Sequence, residues 1–185
     1  MDFSLGGCIF PTMSKQLSFD DVRPDLDERI QNIHTDRNPI SLFLDGLQDQ
    51  QNIGGLFRTA DAARIKELVL YRCPIEFDQK KFKKTARSTL QYVNYRILET
   101  EEEMLAYAAE NTLICIEYTD SSTIMSQTDI SLPVTLVLGN ERHGVSKQML
   151  SLSDQAVHFP MLGVQSSLNV CTAGSIAVYE VLRRL

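Results

Sequence analysis

The sequence predicts an α/β domain in which helices flank a mainly parallel, six-stranded sheet. From Asn38 onward, short apolar runs alternate with amphipathic stretches, which is typical of such a sheet. The 185 residues are 43% hydrophobic and 23% charged, a balance that fits one globular domain and excludes disorder, collagen and coiled coil. A chain of this length buries roughly 70% of its unfolded surface, which suffices for a core without disulfides.

Each predicted element follows from a local pattern. The six strands are expected at residues 40–44, 67–71, 94–98, 112–117, 134–138 and 156–159. A capping box of Thr100 and Glu103 predicts a helix over 101–110, and Ser146 is expected to cap another. The last helix is expected over 168–184, and its cluster of small residues would let another backbone approach closely.

Residues 1–36 differ from the rest of the chain. The stretch 18–30 is charged, and a short helical pattern runs to about His34. We therefore expect an N-terminal helical extension over 1–36, followed by the main domain over 37–185.

Composition narrows the functional classes. A net charge of -6 argues against attraction of nucleic acid by the whole surface, although a local basic patch remains possible. The four cysteines are far apart in sequence, so reduced thiols and no metal site are expected. No apolar run reaches the roughly 18 residues of a membrane span, and no targeting signal is evident, so the expectation is a soluble, cytoplasmic protein.

Three segments follow predicted strands, where open α/β sheets place their ligand sites. The first contains Asn52, a glycine pair and Arg58, which lies about one and a half turns further along a helix. Asn52 is expected to cap that helix. Taken alone, the segment is best explained as a capped helix with a solvated arginine.

In the second segment, Gly139 and Gly144 flank Glu141 directly after an apolar strand. Such glycines suit a loop whose main chain must come very close to a ligand. Neither glycine-rich phosphate motif is present, and a glutamate would repel a pyrophosphate, so a phosphate cradle is excluded. Glu141 is explained equally well as a surface turn residue, and His143 as an exposed loop residue.

The third segment runs from Phe159 through Met161 and Gly163 to a helix that is expected to begin near Ser167. Amides and hydroxyls at a helix start could hold a carboxylate or a nucleotide edge. Simple helix capping would explain Ser167 and Asn169 equally well.

Together these segments resemble the three ordered motifs of the SpoU (TrmH-like) family of RNA ribose methyltransferases, in the SPOUT superfamily. The matching positions are 52 with 58–60, 138–141 with 144–145, and 160–161 with 163 and 167–170, running into 179–180. The resemblance covers about residues 38 to 185. It departs from the family pattern at Cys171, where serine is common, and at Ser175, where alanine is usual.

The resemblance implies a deep trefoil knot at the C-terminus, although chains generally avoid knots and nothing in the hydrophobic pattern predicts one. It also implies a homodimer, S-adenosylmethionine as the methyl donor, and an RNA ribose 2′-hydroxyl as the acceptor. By the same resemblance, the cofactor cavity is lined by Gly139, Glu141, Phe159, Met161, Ser167 and Leu168, with Glu117 as a looser match.

Catalysis and substrate handling are implied for Arg58 first, and then for Asn52, Ser167, Asn169 and Glu141. For Glu141 we expect a part in shaping the loop or holding the site together. The family's proposed base is the arginine, yet a free guanidinium has a pKa above about 12 and resists deprotonation. Two roles therefore stay open: a base in a special setting, or a charged clamp for a phosphate and a developing alkoxide.

The RNA contact is expected at the basic segment, residues 80–87, which contains Lys80, Lys81, Lys83, Lys84 and Arg87. Without the resemblance, this segment would be a solvated helix face. Arg23, Arg29 and Arg37 are weaker candidates, and transfer RNA is favoured over ribosomal RNA. Two alternatives stay open: a non-catalytic dimeric RNA-binding protein of SPOUT fold, and an RNA methyltransferase that acts on a base.

Overall fold

A computed structural model describes residues 16–23, 25–86 and 88–185. Contacts divide the chain into two units, Met1–Gln31 and Asn32–Leu185. The described part of the first unit contains α1 (Phe19–Val22) and α2 (Leu26–Gln31). Two short helices thus lie within the expected helical extension, and the second ends at Gln31, three residues before the expected end near His34. Pro24 lies between the two helices in sequence, and proline disfavours the helical conformation of the residue before it.

The second unit is built on a parallel sheet with seven strands among the described residues. They are β1 (Asn38–Asp45), β2 (Ile65–Tyr71), β3 (Tyr95–Leu98), β4 (Leu113–Ile116), β5 (Thr123–Ile124), β6 (Val134–Gly139) and β7 (Gln155–His158). Six of them confirm the predicted strands to within two residues at each end. The predicted number is wrong, because β5 has two residues and exists only through its pairing with β7.

The described helices of this unit flank the sheet. They are α3 (Gln50–Ala62), α4 (Lys80–Ala86), α5 (Glu101–Glu110), α6 (Lys147–Leu152) and α7 (Val170–Leu182). The capping box of Thr100 and Glu103 is confirmed, as is the cap of α6 by Ser146. In the described part of the chain, no helix has the length and apolar character to cross a membrane.

The central strands are buried on both faces of the sheet, which explains the continuous apolar runs in their sequences. Along β1, Leu42 and Leu44 pack with α3 and α7 on one side of the sheet, while Phe43 packs with α5 and α6 on the other. This alternation is the two-residue period of a strand. The sheet is thus the middle of three layers, with β1 and β6 near its centre.

The strand order, β3-β2-β1-β6-β4-β7-β5, has two consequences for the site. All pairs are parallel, so the carboxyl ends of the strands meet at one edge, together with the segments that follow them. In addition, β7 lies between β4 and β5, although both precede it in the chain. The segment 117–122, which connects β4 to β5, therefore spans the end of β7.

Candidate active site

A cavity of about 500 Å³ lies at the carboxyl edge of the sheet, within the usual size range of small-molecule sites. It is formed by residues that follow β4, β6 and β7 and by the start of α7. Its lining contains all seven residues that were expected around the cofactor: Glu117, Gly139, Glu141, Phe159, Met161, Ser167 and Leu168. The structure brings these residues together, and their binding of a cofactor stays a prediction.

The loop after β6, residues 139–145, closes on itself. Asn140 and Gly144 exchange two main-chain hydrogen bonds of 2.9 Å, and Gly144 has a left-handed φ of +68°. A Cβ on Gly139 would lie 2.0 Å from the amide nitrogen of Val145, so no side chain fits there. The sequence suggested that this glycine admits a ligand, but the closest approach is that of the loop to its own backbone.

Glu117 holds this loop against the end of β4. Its carboxylate accepts hydrogen bonds from the amides of Val145 at 2.9 Å and Tyr118 at 3.0 Å. A Cβ on Gly144 would lie 2.3 Å from one of its oxygens. The residue therefore shapes the cavity wall through the main chain.

Glu141, Asn52 and Asn169 join the three motif segments in one chain of hydrogen bonds. The Asn52 side-chain amide donates to Glu141 at 3.0 Å, and that of Asn169 donates to the Asn52 carbonyl oxygen at 3.0 Å. Glu141 also accepts from the amides of Gln48 and Asp49, at 3.1 and 3.0 Å. The side-chain oxygen of Asn169, Oδ1, accepts from the second and third amides of α7, so Asn169 caps that helix.

This network changes two earlier interpretations. The prediction that Asn52 caps α3 is wrong, because Asp49 is the cap and accepts from Gln51 at 2.6 Å. Asn52 lies inside the first turn, where its side chain can reach the neighbouring segments. Glu141 links those segments, so it is more than a surface turn residue. Burial raises the pKa of Glu141, but hydrogen bonds from Asn52 and from main-chain amides outweigh burial and leave the pKa below its ordinary value.

Arg58 lies on α3, outside the lining of the cavity. Its side chain is exposed, and within the described part of the chain its guanidinium makes no ion pair. Burial raises the pKa of the Cys171 thiol, and a hydrogen bond with Ser175 and the nearby positive charge of Arg58 offset only part of that rise. The arginine thus lies near Cys171, in the first turn of α7. Ser167 is an exposed residue of the cavity rim.

The four lysines of the basic segment are exposed on α4. Lys83 pairs with Asp78 at 2.7 Å. Phe82, which stands among the lysines in sequence, is fully buried and packs edge-on against the rings of Phe57 and Phe77, so it cannot stack on a base. Arg87 lies outside the described residues.

One weaker RNA candidate has a structural use. The Arg37 guanidinium is partly buried and donates to the main-chain oxygens of Ile65, at 2.8 Å, and Tyr92. These contacts tie the start of β1 to its neighbours. These hydrogen bonds favour a structural role, and a contact of Arg37 with RNA stays a prediction.

Three residues that position or line the cavity, with polar or aromatic side chains, are among those that sequence reasoning did not single out. Asn140 donates to the Gly46 oxygen at 2.7 Å and accepts from two amides of its own loop. Tyr118 and His158 lie on another wall. Each of the three stands at the end of a strand or within two residues of it, and this position is the only signal that could have identified them.

Comparison with known proteins identifies relatives. The family model for the SpoU rRNA Methylase family matches residues 39–179. The 23S rRNA (guanosine-2'-O-)-methyltransferase RlmB of Haemophilus influenzae is 29% identical, covering 86% of this chain and 65% of that protein. The tRNA (guanosine(18)-2'-O)-methyltransferase of Thermus thermophilus is 25% identical, covering 84% of this chain and 81% of that protein.

Solved structures share the fold. The TrmH/SpoU tRNA modifying enzyme of A. aeolicus has a TM-score of 0.75 at 23% identity, covering 88% of this chain and 84% of that chain. The SpoU methyltransferase AviRb from Streptomyces viridochromogenes, in complex with the cofactor AdoMet, has a TM-score of 0.71 at 24% identity, covering 83% and 60%. This chain spans between 58% and 65% of the length of several curated relatives that it matches. It belongs to the SpoU rRNA Methylase family, as its three motifs predicted.

Proposed function

We propose that this protein transfers a methyl group from S-adenosylmethionine to a ribose 2′-hydroxyl of RNA. The observation that carries the proposal is the hydrogen-bonded chain from Glu141 through Asn52 to Asn169, because it joins the first motif segment to the two motif segments that line one cavity. The names of the two relatives described above, both guanosine 2′-O-methyltransferases, support the same reaction.

The cavity residues fit the methyl donor. The cavity has a volume of about 500 Å³, which suits a ligand of the size of S-adenosylmethionine. Its lining combines apolar side chains, such as Met161 and Leu168, with polar groups at Asn140 and Asn169. When bound, the donor supplies a methyl group that its sulfonium already makes electrophilic. The chain must then place the acceptor in line and help the ribose hydroxyl lose its proton. Alignment of this kind is worth about 7–11 kcal/mol in favourable cases.

For Arg58 we propose the charged role, in which the guanidinium clamps an RNA phosphate and stabilises the developing alkoxide. Its exposure and its lack of a carboxylate partner among the described residues leave the guanidinium available for a phosphate. Arg58→Lys keeps the charge and loses the planar fork, so we expect activity on RNA to fall by about tenfold or more. Near-parental turnover of this variant would show that a bidentate role is wrong.

The reaction is tested by incubating the protein with methyl-labelled S-adenosylmethionine and either transfer RNA or ribosomal RNA. The RNA is then digested to nucleosides and analysed by mass spectrometry. We expect a 2′-O-methylated nucleoside, and we expect it from transfer RNA in preference. A methylated base would instead support the base-directed alternative. If the protein binds the cofactor but forms no methylated product, the non-catalytic RNA-binding alternative is supported. The Arg58→Ala variant, which we expect to be inactive, is the control for this assay.

RNA binding is proposed for the lysines of α4. Phosphate contacts make affinity fall steeply with salt, and the four side chains are exposed on one short helix. Lys84→Glu should weaken RNA binding and leave cofactor affinity unchanged. Lys66→Glu, an equal charge reversal at an exposed position near the amino end of β2, is the matched control. Equal loss of RNA affinity in both variants would contradict a specific contact at α4.

We also propose that the C-terminal segment forms the trefoil knot. In support, β7 is inserted between β4 and β5, and the segment 117–122 crosses the end of β7, where Ser122 lies 2.9 Å from the ring of His158. The chain then continues into α7, which packs against β6 on the same side of the sheet as α3. A crystallographic trace in which residues 159–169 pass outside the segment 117–122 would refute the knot.

A homodimer is proposed from the apolar surface of α7 and of the segment before it. Ile176 and Tyr179 are 43% and 52% exposed, and Leu162 and Val164 are almost fully exposed. Ile176 and Tyr179 lie three residues apart on α7 and so share a face, and exposed apolar side chains on one face mark an interaction surface. Sedimentation equilibrium should give twice the monomer mass for the parent protein and the monomer mass for Ile176→Glu. A monomeric parent protein would refute the proposal.

A further inference from the structure

Tyr118 and His158 form an aromatic wall of the cavity that none of the three motifs includes. Tyr118 directly follows Glu117 beyond β4, and His158 is the last residue of β7. Their ring centroids are 4.3 Å apart and the planes are tilted by 46°. Both residues line the cavity, yet Tyr118 is 69% exposed. A large aromatic ring is thus presented to the space in which a ligand would lie.

Hydrogen bonds hold this wall in place. The Ser122 hydroxyl lies 2.9 Å from Nδ1 of His158 and donates to the Thr119 oxygen at 2.9 Å. The Thr119 amide donates back to the same hydroxyl at 3.0 Å. The Tyr118 amide donates to Glu117 at 3.0 Å. The His158 ring and the Tyr118 backbone are therefore fixed before a ligand arrives, and such preorganisation favours binding.

The chemistry of the wall favours a flat ligand. An exposed aromatic ring gains most from stacking on another π-system. The other polar groups of the cavity, at Asn140, Glu141 and Asn169, suit the hydroxyl, amino and carboxylate groups of a ligand. Within the methyl donor, the adenine is the only aromatic ring system, and the amino-acid portion has no ring face on which an aromatic side chain could stack.

We propose that Tyr118, supported by His158, stacks on the adenine of the methyl donor and sets how tightly this chain binds it. The inference rests on the proposed function, because it assigns one part of the donor to one wall of the cavity. It concerns the free protein and the donor, so it needs no RNA and no turnover to be tested.

The first experiment is calorimetric titration of S-adenosylhomocysteine into the parent protein and into variants at Tyr118. Tyr118→Phe keeps the ring and should bind within about twofold of the parent. Tyr118→Leu and Tyr118→Ala should bind about three- to tenfold more weakly, which is the range of an aromatic contact. Parental affinity in Tyr118→Leu or Tyr118→Ala would overturn the inference alone. No binding by the parent would overturn the proposed function and the inference with it.

The second experiment uses the absence of tryptophan from the chain. Tyr118→Trp introduces a single, selectively excited tryptophan at the proposed wall, and Leu105→Trp introduces a matched tryptophan at a 40% exposed position on α5, which does not line the cavity. Adenosine and S-adenosylhomocysteine should change the emission of Tyr118→Trp, and methionine should not. A response to methionine without a response to adenosine, or equal responses in the two variants, would overturn the inference.

Discussion

Replacing Glu141 by glutamine removes a charge that holds two motif segments together and keeps the size of the side chain. The carboxylate accepts three hydrogen bonds, from the amides of Gln48 and Asp49 and from the Asn52 side chain, at 3.0–3.1 Å. A glutamine has one acceptor oxygen and one amino group in place of two oxygens. Because both Glu141 oxygens accept, at least one donor in Glu141→Gln faces an amino group and loses its partner.

The expected cost follows from these contacts. A hydrogen bond to a charged group contributes about 1.5–3 kcal/mol, and solvent screening lowers that value here because Glu141 is exposed. We expect Glu141→Gln to reduce the free energy of unfolding by about 1–2 kcal/mol near neutral pH. Glu102→Gln is the matched control, since Glu102 is exposed on α5, and it should change stability by less than about 0.5 kcal/mol.

The effect should depend on pH in one direction. The pKa of Glu141 lies below its ordinary value of 4.5, since hydrogen bonds to the carboxylate outweigh its burial. The stabilisation is therefore complete above about pH 4.5, the unfolded value, and is lost as pH falls through the lower folded pKa. The difference between parent and Glu141→Gln should then shrink, because a protonated glutamate resembles glutamine. Urea unfolding from about pH 7 to 3 measures this difference, and a difference that stays constant below about pH 4 would refute this reasoning.

Two further predictions concern packing and thiol chemistry. Gly139→Ala should lower the free energy of unfolding by about 3 kcal/mol or more in urea titrations, because a Cβ there meets the main chain at 2.0 Å. The Cβ of Gly163→Ala would lie in open space, so this variant should be neutral or stabilised by up to about 1 kcal/mol. Equal losses of unfolding free energy in the two variants would contradict a steric clash at position 139. Burial raises the pKa of Cys73 to about 12 and that of Cys115 to about 11, so both should resist alkylation near pH 8 until urea unfolds the chain. Rapid labelling of either thiol in the native protein, followed by mass spectrometry, would refute that expectation.

Elements with a local cause could be predicted from the sequence. The reciprocal hydrogen bonds of Thr100 and Glu103 join residues that are three apart in sequence, so the local sequence is enough to predict the start of α5. The central strands are buried on both faces and therefore appear as apolar runs, as 134–138 does. The candidate site could be located because its segments follow strands whose carboxyl ends meet at one edge.

Features that depend on distant contacts could not be predicted in this way. Asp49 and Asn52 are both good capping residues, and only the position of Glu141, about ninety residues later, leaves Asp49 as the cap. Likewise β5 is a strand because β7 lies beside it. Phe82 stands among lysines in sequence, but the rings of its neighbours place it in the core.

The position of β7 also bears on how the protein is made. Ribosomes release the chain from its amino end, so β4 and β5 emerge before the strand that separates them. Until β7 is synthesised, β5 has no strand to pair with, and the wall formed by Tyr118 and His158 lacks one of its two rings. A nascent chain that stalls before this point lacks part of the cavity wall, so the proposed pocket for the methyl donor can form only after β7 has been synthesised.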